Sequence, residues 1–177
     1  MPVEHFDIVL AHDSDRERRT REQLERILAT HDVGRWIRTR HVVIEERAIP
    51  HSHPKLTLNT RHLDDDDLLL ATFVHEQLHW LVLEHQGSLR AAISEIRAFA
   101  PDIPVGFPRG ADSKAASYLH VVVNYLEGEA MEEVLGSERA RRVLDHWMRD
   151  HYTGIYELVS NEAERLRTII ERRGLRP

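Results

Sequence analysis

Residues 65–84 read DDDLLLATFVHEQLHWLVLE, and this stretch decides how the rest of the chain is interpreted. Apolar residues dominate it from Leu68 onward, which predicts a buried helix over residues 65–84. Aspartates at the start of a helix cap free N–H groups and complement the helix dipole. Inside the apolar run, His75, Glu76 and His79 form the pattern His-Glu-x-x-His.

This pattern places two imidazoles and a carboxylate where one cation could use them. Residues four apart share a face of a helix, so His75 and His79 can both reach a single ion, while Glu76 is aimed at a water on that ion. Burying these side chains without a partner would be costly, which favours a metal site over a chance pattern. The chain has no cysteine, so a Zn²⁺ ion here would have only nitrogen and oxygen ligands.

Composition limits the class of protein. With 177 residues, of which 41% are hydrophobic and 31% charged, we expect one domain spanning residues 1–177 with a substantial core. The net charge of -6 disfavours nucleic acid as a partner. No basic segment followed by an apolar one opens the chain, and no apolar run has membrane-spanning length. We therefore expect a cytoplasmic protein with no membrane segment.

The remaining sequence predicts an α+β fold: a small twisted sheet of about three strands, then the motif helix, then a mainly helical C-terminal half. Strands are predicted at 5–12, 36–46 and 55–60, with a helix capped by Asp13 or Ser14 between the first two. Further helices are predicted at 89–99, 113–135, 137–150 and 153–173, with Gly87 and Ser88 separating the first of them from the motif helix. The Pro- and Gly-rich residues 101–110 are interpreted as the rim or lid of an active site.

A catalytic zinc site needs a third protein ligand and one open position. His85 is the nearest candidate, because His75, His79 and His85 have the spacing H-x3-H-x5-H. That spacing resembles metzincin peptidases and the endoribonucleases that mature ribosomal RNA. Both families have a glycine where this chain has Val82, and on a straight helix His85 would face away from His79.

Two glutamates further along the chain are the other candidates. Glu127 shares a helical stripe with His120 and Asn124, two polar groups that need a reason to lie beside apolar positions. A downstream helical Glu that completes His-Glu-x-x-His resembles the gluzincin peptidases. Their usual second motif, Glu-x-x-x-Asp, is missing at Glu127, and Glu129 matches it better in form. The shared stripe favours Glu127 as the ligand.

The resemblance to zincin metallopeptidases, gluzincin-like and without an identifiable subfamily, extends to the strand just before the motif helix. In that family this edge strand pairs with extended substrate. The resemblance implies a peptide or protein substrate, with zinc on His75, His79 and Glu127 and with Glu76 as general base and then acid. His120 would donate to the oxyanion, and the tyrosines that could donate instead are Tyr118, Tyr152 and Tyr156.

Two other functions stay open at this point. The His85 spacing leaves an endoribonuclease-like or metzincin-like zinc site, and the zinc could also belong to a non-catalytic binding module. A purely structural site would have no use for the acid Glu76 between its two ligands.

Overall fold

Three short parallel strands form a sheet in the computed structural model, which describes residues 6–176. They are β1 (Asp7–Leu10), β2 (His41–Ile44) and β3 (Leu56–Leu58), in the order β1-β2-β3. Ile8 is paired with Val42, and Val43 with Thr57. The fold class is therefore α+β, as predicted, and the sheet is parallel throughout the described residues.

Helix α1 (Asp15–Thr30) joins β1 to β2 and confirms its sequence signals. The Ser14 side chain accepts a hydrogen bond from the backbone N–H of Glu17, and the Glu17 side chain returns to the backbone N–H of Ser14, which is a complete capping box. Leu24 and Ile27 of α1 are fully buried.

Two strand predictions need correction at their ends. The predicted strand at 36–46 begins too early, because residues 34–36 form a 3₁₀ turn that buries Trp36 and the strand starts only at His41. The alternating pattern could not separate a buried turn from a strand. The first strand covers Asp7–Leu10 of the predicted 5–12, and His5 lies outside the described residues.

The motif helix, α2 (Asp66–Glu84), matches its predicted bounds closely. The chain forms two compact units, Met1–Trp80 and Leu81–Pro177. The first unit contains the sheet, α1 and the motif. No helix within residues 6–176 combines the length and the apolar character that crossing a membrane requires.

The second unit is helical. Its helices are α3 (Gln86–Phe99), α4 (Lys114–Leu135), α5 (Ser137–Asp150), α6 (Thr153–Asn161) and α7 (Ala163–Arg173). The central helix is α4, which packs against the other four. Its buried residues include Val121, Val122 and Leu126, so an apolar helix surrounded by its neighbours forms this core.

Two boundaries in the second unit differ from prediction. The break between α2 and α3 falls at His85, and Gly87 and Ser88 lie in the first turn of α3. The single helix predicted at 153–173 is divided at Glu162 into α6 and α7. Residues 101–110 form the predicted loop, and there a β-carbon on Gly110 would lie 2.1 Å from the backbone oxygen of Pro104.

Candidate metal centre

Helix α2 brings the two motif histidines together as the sequence predicts. The Nε2 atoms of His75 and His79 are 3.3 Å apart, and the ring planes are inclined by 63°. Two nitrogens each about 2.05 Å from a tetrahedral zinc would be roughly 3.3 Å apart. Without a metal, one ring can donate to the other across this distance. A shared cation would take the place of that proton.

The motif is buried in a way that suits such a site. His75 and Glu76 are 9% and 6% exposed, whereas His79 is half-buried, so one side of the pair remains reachable. Buried imidazole and carboxylate groups need partners. A carboxylate adjacent in sequence to two closely spaced imidazoles can act as base toward a water held beside them.

Gln77 has a structural role that sequence reasoning missed. Its Oε1 accepts hydrogen bonds from the backbone N–H groups of Arg38 (2.8 Å) and Thr39 (2.9 Å), and its Nε2 donates to the Thr39 oxygen (2.7 Å). These three bonds fix the motif turn of α2 to the segment that leads into β2. No local pattern in the sequence indicates them, because Gln77 is 38 residues from Thr39.

The strand before the motif helix is not a free edge over its whole length. At Thr57, the backbone N–H donates to the His51 oxygen (2.8 Å) and the carbonyl accepts from the His51 N–H (3.1 Å). Trp80 holds the same loop, because its indole N–H donates to the Ser52 oxygen and its ring stacks on His53 at 4.1 Å. The chain itself therefore occupies the part of β3 where the family resemblance places an extended substrate.

In the second unit, α4 carries the predicted stripe of His120, Asn124 and Glu127. Glu127 is 1% exposed, and its Oε2 accepts a hydrogen bond from the Tyr156 hydroxyl at 2.8 Å. Burial raises the pKa of Glu127 to about 7, although the Tyr156 hydrogen bond and the nearby His151 and His120 act to lower it. A carboxylate in this condition gains from a nearby cation, which would stabilise its charged form.

His120 is held in one orientation. Its Nδ1 lies 2.8 Å from the Ala116 carbonyl oxygen, which can only accept, so Nδ1 carries the proton. Hydrogen bonding of one ring nitrogen to a backbone carbonyl is the usual way in which a ligating histidine is oriented.

The other ligand candidates are engaged elsewhere. Glu129 accepts the Tyr125 hydroxyl on Oε1 (2.7 Å) and the Arg176 guanidinium on Oε2 (3.2 Å). His85 is exposed at the end of an α2 that continues helically through Val82.

The three tyrosines considered as donors separate into two groups. The Tyr118 hydroxyl donates to the carbonyl of Ala100 at 2.8 Å and so binds α4 to the end of α3. Tyr152 and Tyr156 lie with the α4 stripe: the Tyr152 ring centroid is 4.3 Å from that of His120, and Tyr156 is bonded to Glu127. The sequence suggested these tyrosines as donors to substrate and did not indicate that Tyr156 supports Glu127.

Comparison with known proteins adds no family assignment, since no family model, curated protein or solved structure matches this chain.

Proposed function

We propose that this protein is a zinc-dependent hydrolase, and most simply a metallopeptidase. The observation that carries the proposal is the 3.3 Å separation of the His75 and His79 Nε2 atoms, with Glu76 between them in the sequence. That separation matches two nitrogens on one tetrahedral zinc, about 3.3 Å apart. Zinc at this position would polarise a carbonyl group and make a water acidic enough to react near neutral pH.

In this mechanism Glu76 performs the proton transfers. Its carboxylate accepts the proton of the attacking water and then delivers it to the departing amine. The low exposure of Glu76, 6%, supports this role, because a carboxylate shielded from bulk water keeps the proton between the two steps. A peptide or protein substrate remains the class that the motif favours.

The third ligand is proposed to come from α4. The sequence favours Glu127 as ligand and His120 as oxyanion donor. We keep Glu127 as the proposed third ligand, because it shares a helical stripe with His120 and Asn124 and is buried at 1% exposure. His120 keeps the proposed role of donor to the oxyanion.

Elemental analysis and turnover together test this proposal. Wild type purified without added metal should contain one zinc per chain, and Glu127→Ala should lose it. The matched control is His85→Ala, which should keep it. If His85→Ala loses the metal and Glu127→Ala keeps it, the metzincin-like or ribonuclease-like site replaces this one.

Glu76→Gln separates an enzyme from a binding module. It should retain zinc, because Glu76 is not a ligand, and should lower cleavage of a fluorogenic peptide library by a factor of about 10² to 10⁴, the usual contribution of a general base. Undiminished cleavage by Glu76→Gln would overturn the mechanism. Zinc binding by a wild type that cleaves no member of the library would favour a non-catalytic module.

A further inference from the structure

A groove in the second unit lies between α3 and α7 and contains none of the residues assigned to the zinc site. It has a volume of about 480 Å³, and its lining includes Glu95 and Phe99 of α3 and Arg165, Ile169 and Arg172 of α7. Ile169 is 4% exposed and Phe99 is half-buried, so the groove offers an apolar surface beside charged groups. A concave site of this size, with apolar walls and a few placed polar groups, is the usual form of a small-molecule site.

Two arginines of α7 reach across to α3. The guanidinium carbon of Arg165 lies 4.6 Å from the centroid of the Phe99 ring, and Arg172 donates a hydrogen bond to Oε2 of Glu95. Because Arg165 and Arg172 are seven residues apart, they share a face of α7 and are separated by roughly 10.5 Å along its axis. The two guanidiniums therefore lie at opposite ends of the groove, with Ile169 between them in the sequence.

The end of the groove at Glu95 has an excess of positive charge. Glu95 is shared, because its Oε1 accepts from Arg173 at 2.8 Å and its Oε2 accepts from Arg172. The hydrogen bond from Arg173 holds the pKa of Glu95 below its ordinary value, so this carboxylate is charged near neutral pH. At the other end, Arg165 is paired with Glu162 at 3.3 Å. One carboxylate thus balances two guanidiniums in a chain whose net charge is -6.

Arg172 has donors that the protein does not use. Within residues 6–176 its hydrogen bond is made by Nη2 to Glu95, which leaves Nε–H and Nη1 without an acceptor there. The side chain is 58% exposed, so these donors are accessible. The remaining acid of the groove, Glu164, is paired with Arg167 of its own helix at 3.5 Å. A guanidinium with two donors on one edge suits the planar, bidentate pairing that carboxylates make.

We propose that the groove between α3 and α7 binds a small amphipathic acid, in which one carboxylate is attached to an aromatic or branched apolar body. The carboxylate pairs with Arg172, and the apolar body packs on Phe99 and Ile169. A monoanion fits because one positive charge is in excess, whereas a polyanion such as a nucleic-acid strand would also face the carboxylates of the groove. The site needs no zinc and is additional to the proposed hydrolase chemistry.

Titration of the whole chain with N-acetylphenylalanine tests the proposal. A chelator is present, and ¹⁵N NMR spectra follow the backbone amides and the arginine Nε–H groups. We expect saturable shifts at the Nε–H of Arg172 and at the amide of Ile169. N-acetylphenylalanine amide lacks the charge and N-acetylalanine lacks the aromatic body, so each should bind at least about 10-fold more weakly.

Substitution of Arg172 tests the pairing directly. Arg172→Gln should weaken binding by about 10- to 100-fold, the range expected for a lost hydrogen bond to a charged group. The fold should persist, since Glu95 keeps its bond from Arg173. Arg172→Lys keeps the charge without the planar fork and should bind with intermediate affinity. The matched control is Arg141→Gln, which removes the same charge from an exposed position of α5 and should bind as wild type does.

Three outcomes would overturn the proposal: no saturable shift in wild type, equal affinity for the acid and its amide, or equal affinity of Arg172→Gln and wild type. A single-stranded oligonucleotide that shifts Arg172 at lower concentration than the acid would also overturn it, in favour of nucleic acid. Tighter binding of acetyl-Ala-Ala-Phe than of N-acetylphenylalanine would support a peptide C-terminus as the source of the carboxylate, and equal binding would support a free acid. Because the chelator removes zinc, these outcomes are independent of the proposed hydrolase.

Discussion

Glu17 of α1 and Glu127 of α4 are equally buried, at 0% and 1% exposure, yet their pKa values are shifted in opposite directions. Burial acts to raise both. Around Glu17 it is outweighed by hydrogen bonds from the backbone N–H groups of Glu46, His12 and Ser14, which hold its pKa below the ordinary value. Glu127 accepts the Tyr156 hydroxyl at 2.8 Å, and burial nevertheless leaves its pKa raised to about 7.

The difference distinguishes two uses of a buried carboxylate. Glu17 is satisfied by peptide groups of its own unit and joins the turn before α1 to the end of β2, so it stabilises the fold. Burial keeps the pKa of Glu127 raised although hydrogen bonds from Tyr156 and Trp147 and the nearby His151 and His120 act to lower it. A buried carboxylate whose pKa is perturbed in this way is a candidate functional group.

The largest effect is expected for Glu17→Ala. The substitution removes the charged acceptor of three part-buried backbone N–H groups. Hydrogen bonds to charged groups contribute about 1.5–3 kcal/mol each, so a loss of roughly 4 kcal/mol in the free energy of unfolding is expected. Urea denaturation at pH 7 measures it. Glu25→Ala, on the exposed face of the same helix, should change stability by less than about 0.5 kcal/mol. If both substitutions changed the free energy of unfolding by the same amount, Glu17 would not have the structural role assigned to it.

The second effect is a pH dependence at Glu127. In the metal-free protein its pKa is raised from 4.5 to about 7, so the folded chain binds this proton more tightly than the unfolded chain does. The contribution of this proton to the free energy of unfolding is fully present below pH 4.5, and it is lost as the pH rises through about 7. Glu127→Gln stays neutral, so its stability relative to wild type should increase over that range by up to about 3 kcal/mol.

Urea denaturation of both proteins between pH 4 and pH 8, with a chelator present, measures this slope. Glutamine still accepts from the Tyr156 hydroxyl, so the comparison isolates the charge. A constant difference between Glu127→Gln and wild type across the range would mean that Glu127 is well compensated, as Glu17 is, and the contrast would fail.

The sequence predicts features that lie within one helix, and it misses contacts between residues that are far apart in the chain. The cap of α1 at Asp13 or Ser14 is predicted from the residue types at the start of the helix, and Ser14 is the residue that caps it. The apolar run of α2 likewise fixes a buried helix around His75 and His79. Short-range patterns are readable because one helix contains both partners.

Contacts between distant residues leave no such signal. Tyr156 reaches Glu127 from 29 residues away, and Gln77 reaches Thr39 from 38 residues away. The sequence also does not predict the left-handed backbone of Tyr152, which has φ 52°. Glycine and asparagine are the residue types that usually indicate this conformation, and position 152 has neither. The parallel order of the strands depends on how α1 packs, which a single sequence does not specify.

The smallest effect is expected for Glu129, which lies two residues from Glu127 and serves as its matched comparison. Its two oxygens are bonded to the Tyr125 hydroxyl and to Arg176, and burial together with the Glu129 hydrogen bond raises the pKa of Tyr125 to about 12. Glu129→Gln keeps an acceptor for the hydroxyl and loses only a partly exposed ion pair. The expected loss of stability is about 0–1 kcal/mol. Zinc content should stay at the wild-type value. Loss of zinc in Glu129→Gln, together with retention in Glu127→Gln, would exchange the roles of the two glutamates and make Glu129 the metal ligand.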